Sequence, residues 1–224
     1  MNPTPKTEWP ALLAFAVTFA LGAWAYPQLP ESVPVHWGAD GQPDRYGGRL
    51  EALFLTPLVL AGAALLLLAL QRFSPNERKN ASVLRVARLG LGLLAAVLVA
   101  AQAFDWPVAR SVLIGVGFLF VTLGNVLGKA QPSPWVGLRT PWTLSSRRAW
   151  YASQRRGAVW FTAFGALLSV AGLIVPPALL FPWVAPVGVL GGALFMVGWL
   201  TYASYLDWKR DPQPEPALTH ERPA

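Results

Sequence analysis

The sequence predicts an all-α polytopic membrane bundle of six transmembrane helices with both termini in the cytoplasm. Three observations predict it. The 224 residues are 54% hydrophobic and only 13% charged, where a soluble domain carries about 25% charged residues. The apolar residues gather into six runs, each near the roughly 20 residues that cross about 30 Å of hydrocarbon. The 18 lysines and arginines fall almost wholly into alternate loops between those runs. A soluble enzyme and a disordered chain are thereby excluded. The absence of cysteine removes a disulfide scaffold, a thiol nucleophile and a thiolate metal site as well.

The runs are residues 9–26, 51–72, 83–103, 108–128, 159–180 and 182–205. The first has a rival reading, because Lys6, an apolar stretch from Ala11 and Ala23-Trp24-Ala25 imitate a cleavable signal peptide. Glu8 spoils the basic leader that such a peptide needs, so a retained helix is expected. The third and fourth runs are joined by Phe104-Asp105-Trp106-Pro107, and the fifth and sixth meet around Pro176-Pro177 and Phe181-Pro182-Trp183. Proline lacks the amide hydrogen that would continue a helix, so both junctions are tight turns. Two connections are long, 27–50 and 129–158. Residues 1–208 thus read as one transmembrane domain, followed by a Pro-rich, disordered cytoplasmic tail at 209–224.

Charge sets the orientation. One set of loops holds 15 basic residues and the other only Arg45, Arg49 and Arg110. That asymmetry places the 129–158 loop and both termini inside, and the 27–50 loop outside. It also accounts for the sequence pI near 10.2 without any direct contact to nucleic acid. Trp9, Trp24, Trp106, Trp160, Trp183 and Trp208 fall at or near the run ends, as an interfacial belt requires.

The 27–50 loop is too long and polar for a mere connector. Pro27, Pro30 and Pro34 favour an extended entry, with a short strand at Val33-Pro34-Val35, and Asp40-Gly41 and Gly47-Gly48 supply turns. His36, Asp40 and Asp44 recur at intervals of four beside Trp37, Arg45 and Tyr46. Three readings stand together: turn chemistry, with the aspartates bonding backbone amides; recognition of a ligand or peptide by His36, Trp37, Arg45 and Tyr46; and a metal site of one imidazole and two carboxylates. Gly38, Gly41 and Pro43 argue against the helix on which that interval would converge.

The 129–158 loop carries six basic residues and no acidic one between Lys129 and Arg156, interleaved with Trp135, Trp142 and Trp150. Such a surface suits anionic lipid headgroups. Thr143 or Ser145 is expected to cap a short surface helix at 146–156. Asn125, near the cytoplasmic end of the fourth run, is expected to bond a neighbouring helix or loop carbonyl. Arg139, between Gly137 and Thr140-Pro141, is expected to be the keystone of a folded loop, with Asn125 nearby, because a guanidinium bonds several carbonyls at once. No phosphate-binding glycine loop, serine nucleophile elbow or cofactor motif is present.

Gly124-Asn125, Lys129, Val136-Gly137-Leu138-Arg139-Thr140-Pro141-Trp142-Thr143-Leu144-Ser145 and Trp150 resemble the signature of the bacterial SdpI family. Pro34-Val35-His36-Trp37, Gly41-Gln42-Pro43-Asp44 and Tyr46-Gly47 are similar to the outer-loop motif of the domain of unknown function associated with it. The resemblance runs over roughly 27–157. It implies a multi-pass protein of the bacterial inner membrane that gives immunity to a secreted toxic peptide and signals by drawing a cytoplasmic repressor to the membrane. Carried over by motif, the outer binding residues are His36, Trp37, Asp40, Asp44, Arg45 and Tyr46. The inner ones are Asn125, Lys129, Gly137, Arg139, Thr140, Trp142, Thr143, Trp150 and Arg155. The partners are membrane lipids, an extracellular peptide and a cytoplasmic repressor, with no cofactor. Where the family often has Thr-His-Arg, this chain has Ser153-Gln154-Arg155, so a role for an imidazole there is not supported. Two rivals remain: a membrane enzyme using His36, Asp40 and Asp44, and a small lipid or solute transporter. The second would need ionisable residues along a path at mid-bilayer, and the last four runs hold almost none.

Overall fold

The computed structural model describes residues 5–38, 42–176 and 179–218. Among them, six helices are long and apolar enough to cross a membrane. Helix α1 (Pro5–Ala25) closes in a 3-10 turn at Tyr26–Gln28. The chain then forms an antiparallel hairpin of β1 (Val33–Trp37) and β2 (Pro43–Gly47), pairing Val33 with Gly47 and Trp37 with Pro43. A π-helical turn at Glu51–Leu55 leads into α2 (Thr56–Phe73), and α3 (Pro75–Arg78) is one short turn. Helices α4 (Ala81–Ala103) and α5 (Val108–Leu127) flank the expected tight turn. After the second long loop come α6 (Pro141–Ser145) and α7 (Arg147–Ile174). A π-helical stretch, Leu180–Gly191, then runs into α8 (Gly192–Lys209).

In space the helices form a row. Helices α1 and α2 lie against α4, α4 packs on α5, α5 on α7 and α7 on α8. The tightest seam is α5 with α7, and its cause is in the sequence. A Cβ on Gly117 would collide with the carbonyl oxygen of Gly165, and one on Gly165 with that of Gly117. In lipid, where apolar side chains gain little by leaving their surroundings, such backbone approach is the main source of helix association. Leu113, Phe164, Leu168, Met196 and Leu200 fill the space where α8 joins this pair. The opposite faces of α2 and α8 leave Leu58, Leu65, Leu66, Leu194, Phe195 and Val197 exposed, as lipid-facing sides do.

Three expectations are corrected. The short surface helix at 146–156 and the run that begins at 159 form one helix, α7, 28 residues long and ending at Ile174. Nothing between them breaks the helix: Gly157 stays helical because Leu138 and Leu127 fill the space beside it. Second, the caps are neither Thr143 nor Ser145. Thr140 caps α6 through a reciprocal pair of bonds with Thr143, and Ser146 caps α7, its Oγ accepting from the Ala149 amide at 3.0 Å. Third, the tail is not free chain over 210–218. Asp211 accepts from the Ser146 hydroxyl at 2.5 Å, the Arg147 amide donates to the Glu215 carbonyl at 2.9 Å, and Ala217 is buried. The start of α7 offers an unpaired amide at Arg147, and the Glu215 carbonyl of the tail accepts from it.

The bundle also buries a charge. Arg88 of α4 grips Glu8 of α1 with two bonds, Nε to Oε2 at 3.0 Å and Nη2 to Oε1 at 2.9 Å. Nη2 also donates to Gln71 Oε1 of α2 at 2.7 Å. All three residues are buried. One network thus ties together the three helices at that flank of the row.

Candidate functional sites at the two ends of the bundle

The hairpin crowns one end of the bundle. It is held there by Gln102 near the end of α4, whose Nε2 donates to the Pro34 carbonyl at 3.1 Å. His36 and Asp44 meet across the strands, Nδ1 to Oδ1 at 2.5 Å, with side chains 63% and 50% exposed. Arg45 pairs with Glu51 at 2.5 Å, and Tyr46 is exposed. Asp40 lies outside the described residues. Among those residues no three His, Asp or Glu side chains converge on a metal position. Trp37 is half-buried and separates two cavities. One, of about 190 Å³, lies between the hairpin and α2, α4 and α5, and is lined by Val35, Arg45, Leu55 and Val112. The other, of about 620 Å³, lies over the α4–α5 turn.

The opposite end is built by the second long loop, and here the geometry is a grip. Gly137 has φ +105°, a left-handed conformation that residues with side chains rarely adopt. That turn presents both backbone groups of Leu138 to Gln154 of α7. The Leu138 amide donates to Oε1 at 2.9 Å, and Nε2 donates to the Leu138 carbonyl at 3.0 Å. Trp150, fully buried, donates Nε1–H to the Ala130 carbonyl at 2.9 Å. From the other side Asn80 bonds the Gln131 backbone twice, accepting at 2.8 Å and donating at 3.2 Å. Ser133 donates to buried Glu77 and accepts from the amides of Trp135 and Val136. Thr140 also meets Ser204 of α8 at 2.9 Å, and Trp142 stacks edge-on with Tyr205. The loop is therefore a folded cap, with its backbone bonded on both sides.

Of the residues read from sequence, Gly137, Thr140, Trp142, Thr143 and Trp150 are brought together in this cap. Arg139 is not its keystone. It is exposed, and so are Asn125, Lys129 and Arg155; none of these four side chains has a hydrogen-bond or ion-pair partner among the described residues. The fixing role falls instead to Gln154, Glu77 and Asn80. The signal for Glu77 was present, since it is the one acidic residue between Arg72 and Arg88. Asn80 and Gln102 gave no signal of spacing or motif.

The hairpin and the loop of the cap each fall within a family match. Residues 13–61, which include the hairpin, match the domain of unknown function DUF1648. Residues 129–203, from the cap into α8, match the SdpI/YfhL protein family. The second half of the chain is thus similar to the SdpI/YfhL family. A stretch of 85 residues, 35% of the chain, is 40% identical to an uncharacterized protein of Archaeoglobus fulgidus, of whose length it spans 46%. Over 165 residues, 71% of the chain and 78% of the relative, it is 23% identical to the immunity protein SdpI of Bacillus subtilis. No solved structure matches. With six apolar spans and the SdpI/YfhL match over 129–203, this is a multi-pass protein of the cell membrane. The grip of Gln154 on Leu138 lies wholly inside the SdpI/YfhL match.

Proposed function

We propose that the protein is a membrane immunity protein: its hairpin faces outward and intercepts a membrane-active toxic peptide, and its basic cap faces the cytoplasm and docks a partner. The observation that carries this reading is that the hairpin inside one matched region and the cap inside the other lie at opposite ends of one row of helices, each folded and each with free chemistry. At the hairpin end there are cavities and exposed aromatic and ionic groups. At the cap end, Lys129, Arg139, Arg148 and Arg155 are exposed on a backbone that is already satisfied, so their charge is available to an acidic partner or to anionic lipid. The charge asymmetry of the loops supports the orientation. Signalling across the membrane requires that peptide binding favour one helix arrangement over another. The α5–α7 seam is suited to carry such a change, since α5 begins at the hairpin end and α7 begins in the cap. The test is growth: a Bacillus subtilis strain lacking its SdpI protein is made to express this chain beside toxin-producing cells. Restored growth supports immunity; killing at the rate of the empty strain, with the protein present in the membrane, refutes it.

A further inference from the structure

We propose that the larger cavity at the hairpin end, with Asp105 at its edge, is the seat for a cationic segment of the intercepted peptide that also carries aromatic or apolar side chains. The proposal rests on the immunity reading and names the chemistry that reading leaves open. The cavity, about 620 Å³, falls in the size range of ligand pockets, and its walls are mainly Pro30, Val33, Trp37, Pro43, Trp106 and Pro107. These are rigid apolar surfaces, and an indole is a side chain to which a cation can bind. Its polar wall atoms are mostly committed: Gln28 donates to the Trp24 carbonyl at 2.7 Å and Gln102 to that of Pro34. Asp105 is the one charged residue in the lining, and it is exposed with no hydrogen-bond or ion-pair partner among the described residues.

The charge around the cavity selects the sign of the occupant. Every arginine at this end is engaged. Arg45 pairs with Glu51, Arg49 donates to the Pro30 carbonyl at 3.2 Å and lies over the Tyr26 ring, and Arg110 donates to the Val175 carbonyl at 3.2 Å. His36 and Asp44 hold each other. The charges left without partners among the described residues are two carboxylates, Glu31 and Asp105. The Asp105 backbone has φ 51°, the left-handed region, and the turn is closed by the Trp106 amide on the Ala101 carbonyl at 2.9 Å. Aspartate, asparagine and glycine are the residues that accept that conformation readily. The carboxylate can therefore be removed without disturbing the turn.

The experiment uses the full chain in nanodiscs of phosphatidylcholine. The probes are a fluorescent synthetic peptide of lysine, leucine and tryptophan and its analogue with glutamate for lysine. The lysine peptide is expected to bind the wild type above its uptake by empty discs, and more tightly than the glutamate analogue. Asp105→Asn and Asp105→Gly, both compatible with the turn, are each expected to weaken it roughly tenfold, the scale of one charge-assisted contact. Equal binding by the variants, equal binding of the glutamate analogue, or uptake no greater than by empty phosphatidylcholine discs overturns the proposal. The last result would mean that the peptide meets lipid alone. Growth protection by wild type and variants is scored in parallel. An unprotected wild type refutes the immunity reading, while the binding data still decide the cavity. A protected wild type with equally protective variants refutes the cavity and leaves immunity standing.

Discussion

Changing Glu8 to Gln removes half of a buried ion pair while keeping the size of the side chain. Arg88 would remain in place with its side chain 4% exposed and without a counter-charge. Its Nη1 is already buried without a hydrogen-bond partner among the described residues, so the site has no spare acceptor to take up the loss. Breaking a buried pair from one side costs about 3–5 kcal/mol, because the surviving charge keeps only neutral acceptors such as Gln71 Oε1 and has no counter-charge. At roughly 2–4 °C per kcal/mol for a chain of this size, the melting midpoint in detergent should fall by about 10 °C. Substituting both partners by apolar residues of similar volume, Glu8→Leu with Arg88→Met, should restore most of that, since the two charges repay little more than their own desolvation. The assay is thermal unfolding of the purified single and double variants. A Glu8→Gln midpoint within a degree or two of wild type would refute the reasoning, for it would mean that water reaches Arg88. A double variant no better than the single one would show that the pair is needed for more than its charge balance.

Gly137→Ala should destabilise the cap by about 1–3 kcal/mol, from the positive φ and from crowding against Gln154, read as a lower midpoint or earlier proteolysis within 129–146. Gln154→Ala should cost about as much, because it leaves two backbone groups of Leu138 unpaired, while Arg139→Lys should leave the midpoint unchanged. Asp211→Ala should lower it by about 1 kcal/mol through loss of the bond to the Ser146 hydroxyl, measured in the same assay. For orientation, a cysteine at Gly48, which has open space around it, should react with an impermeant thiol reagent in intact cells, and one at the exposed Arg148 should not. The reverse pattern would turn the bundle over.

The apolar runs and the prolines made the six spans legible, because hydropathy and helix-breaking act locally. The same local reading failed at the start of α7. There Arg147, Arg148, Arg155 and Arg156 mark the part of the helix beyond the hydrocarbon, where no apolar signal reports that the helix continues. Site reading failed for a related reason. Arg139 drew attention by its residue type, yet the positive φ of Gly137 commits the Leu138 backbone to Gln154 and leaves Arg139 at the surface. Glu8, Gln71 and Arg88 stand far apart in the chain on three different helices, and only the packing of α1 and α2 on α4 gives them a common meaning. Each partner of a long-range polar contact looks, in sequence, like an isolated polar residue.

The unbroken length of α7 makes it a lever. Its 28 residues span about 42 Å at 1.5 Å each, some 12 Å more than the hydrocarbon is thick. The close approach at Gly165 serves as its fulcrum, and one arm reaches from there to the cytoplasmic cap through Gln154 and Trp150. The other arm ends at the Val175 carbonyl, held by Arg110 of α5 beside the hairpin. With about 27 Å of helix on the cap side, a tilt of about 5° would sweep Arg147 by roughly 2 Å, well beyond the tolerance of a hydrogen bond. A small push at one end would therefore unseat contacts at the other, and the α7 start, clasped by the tail, is where such a motion would first be felt.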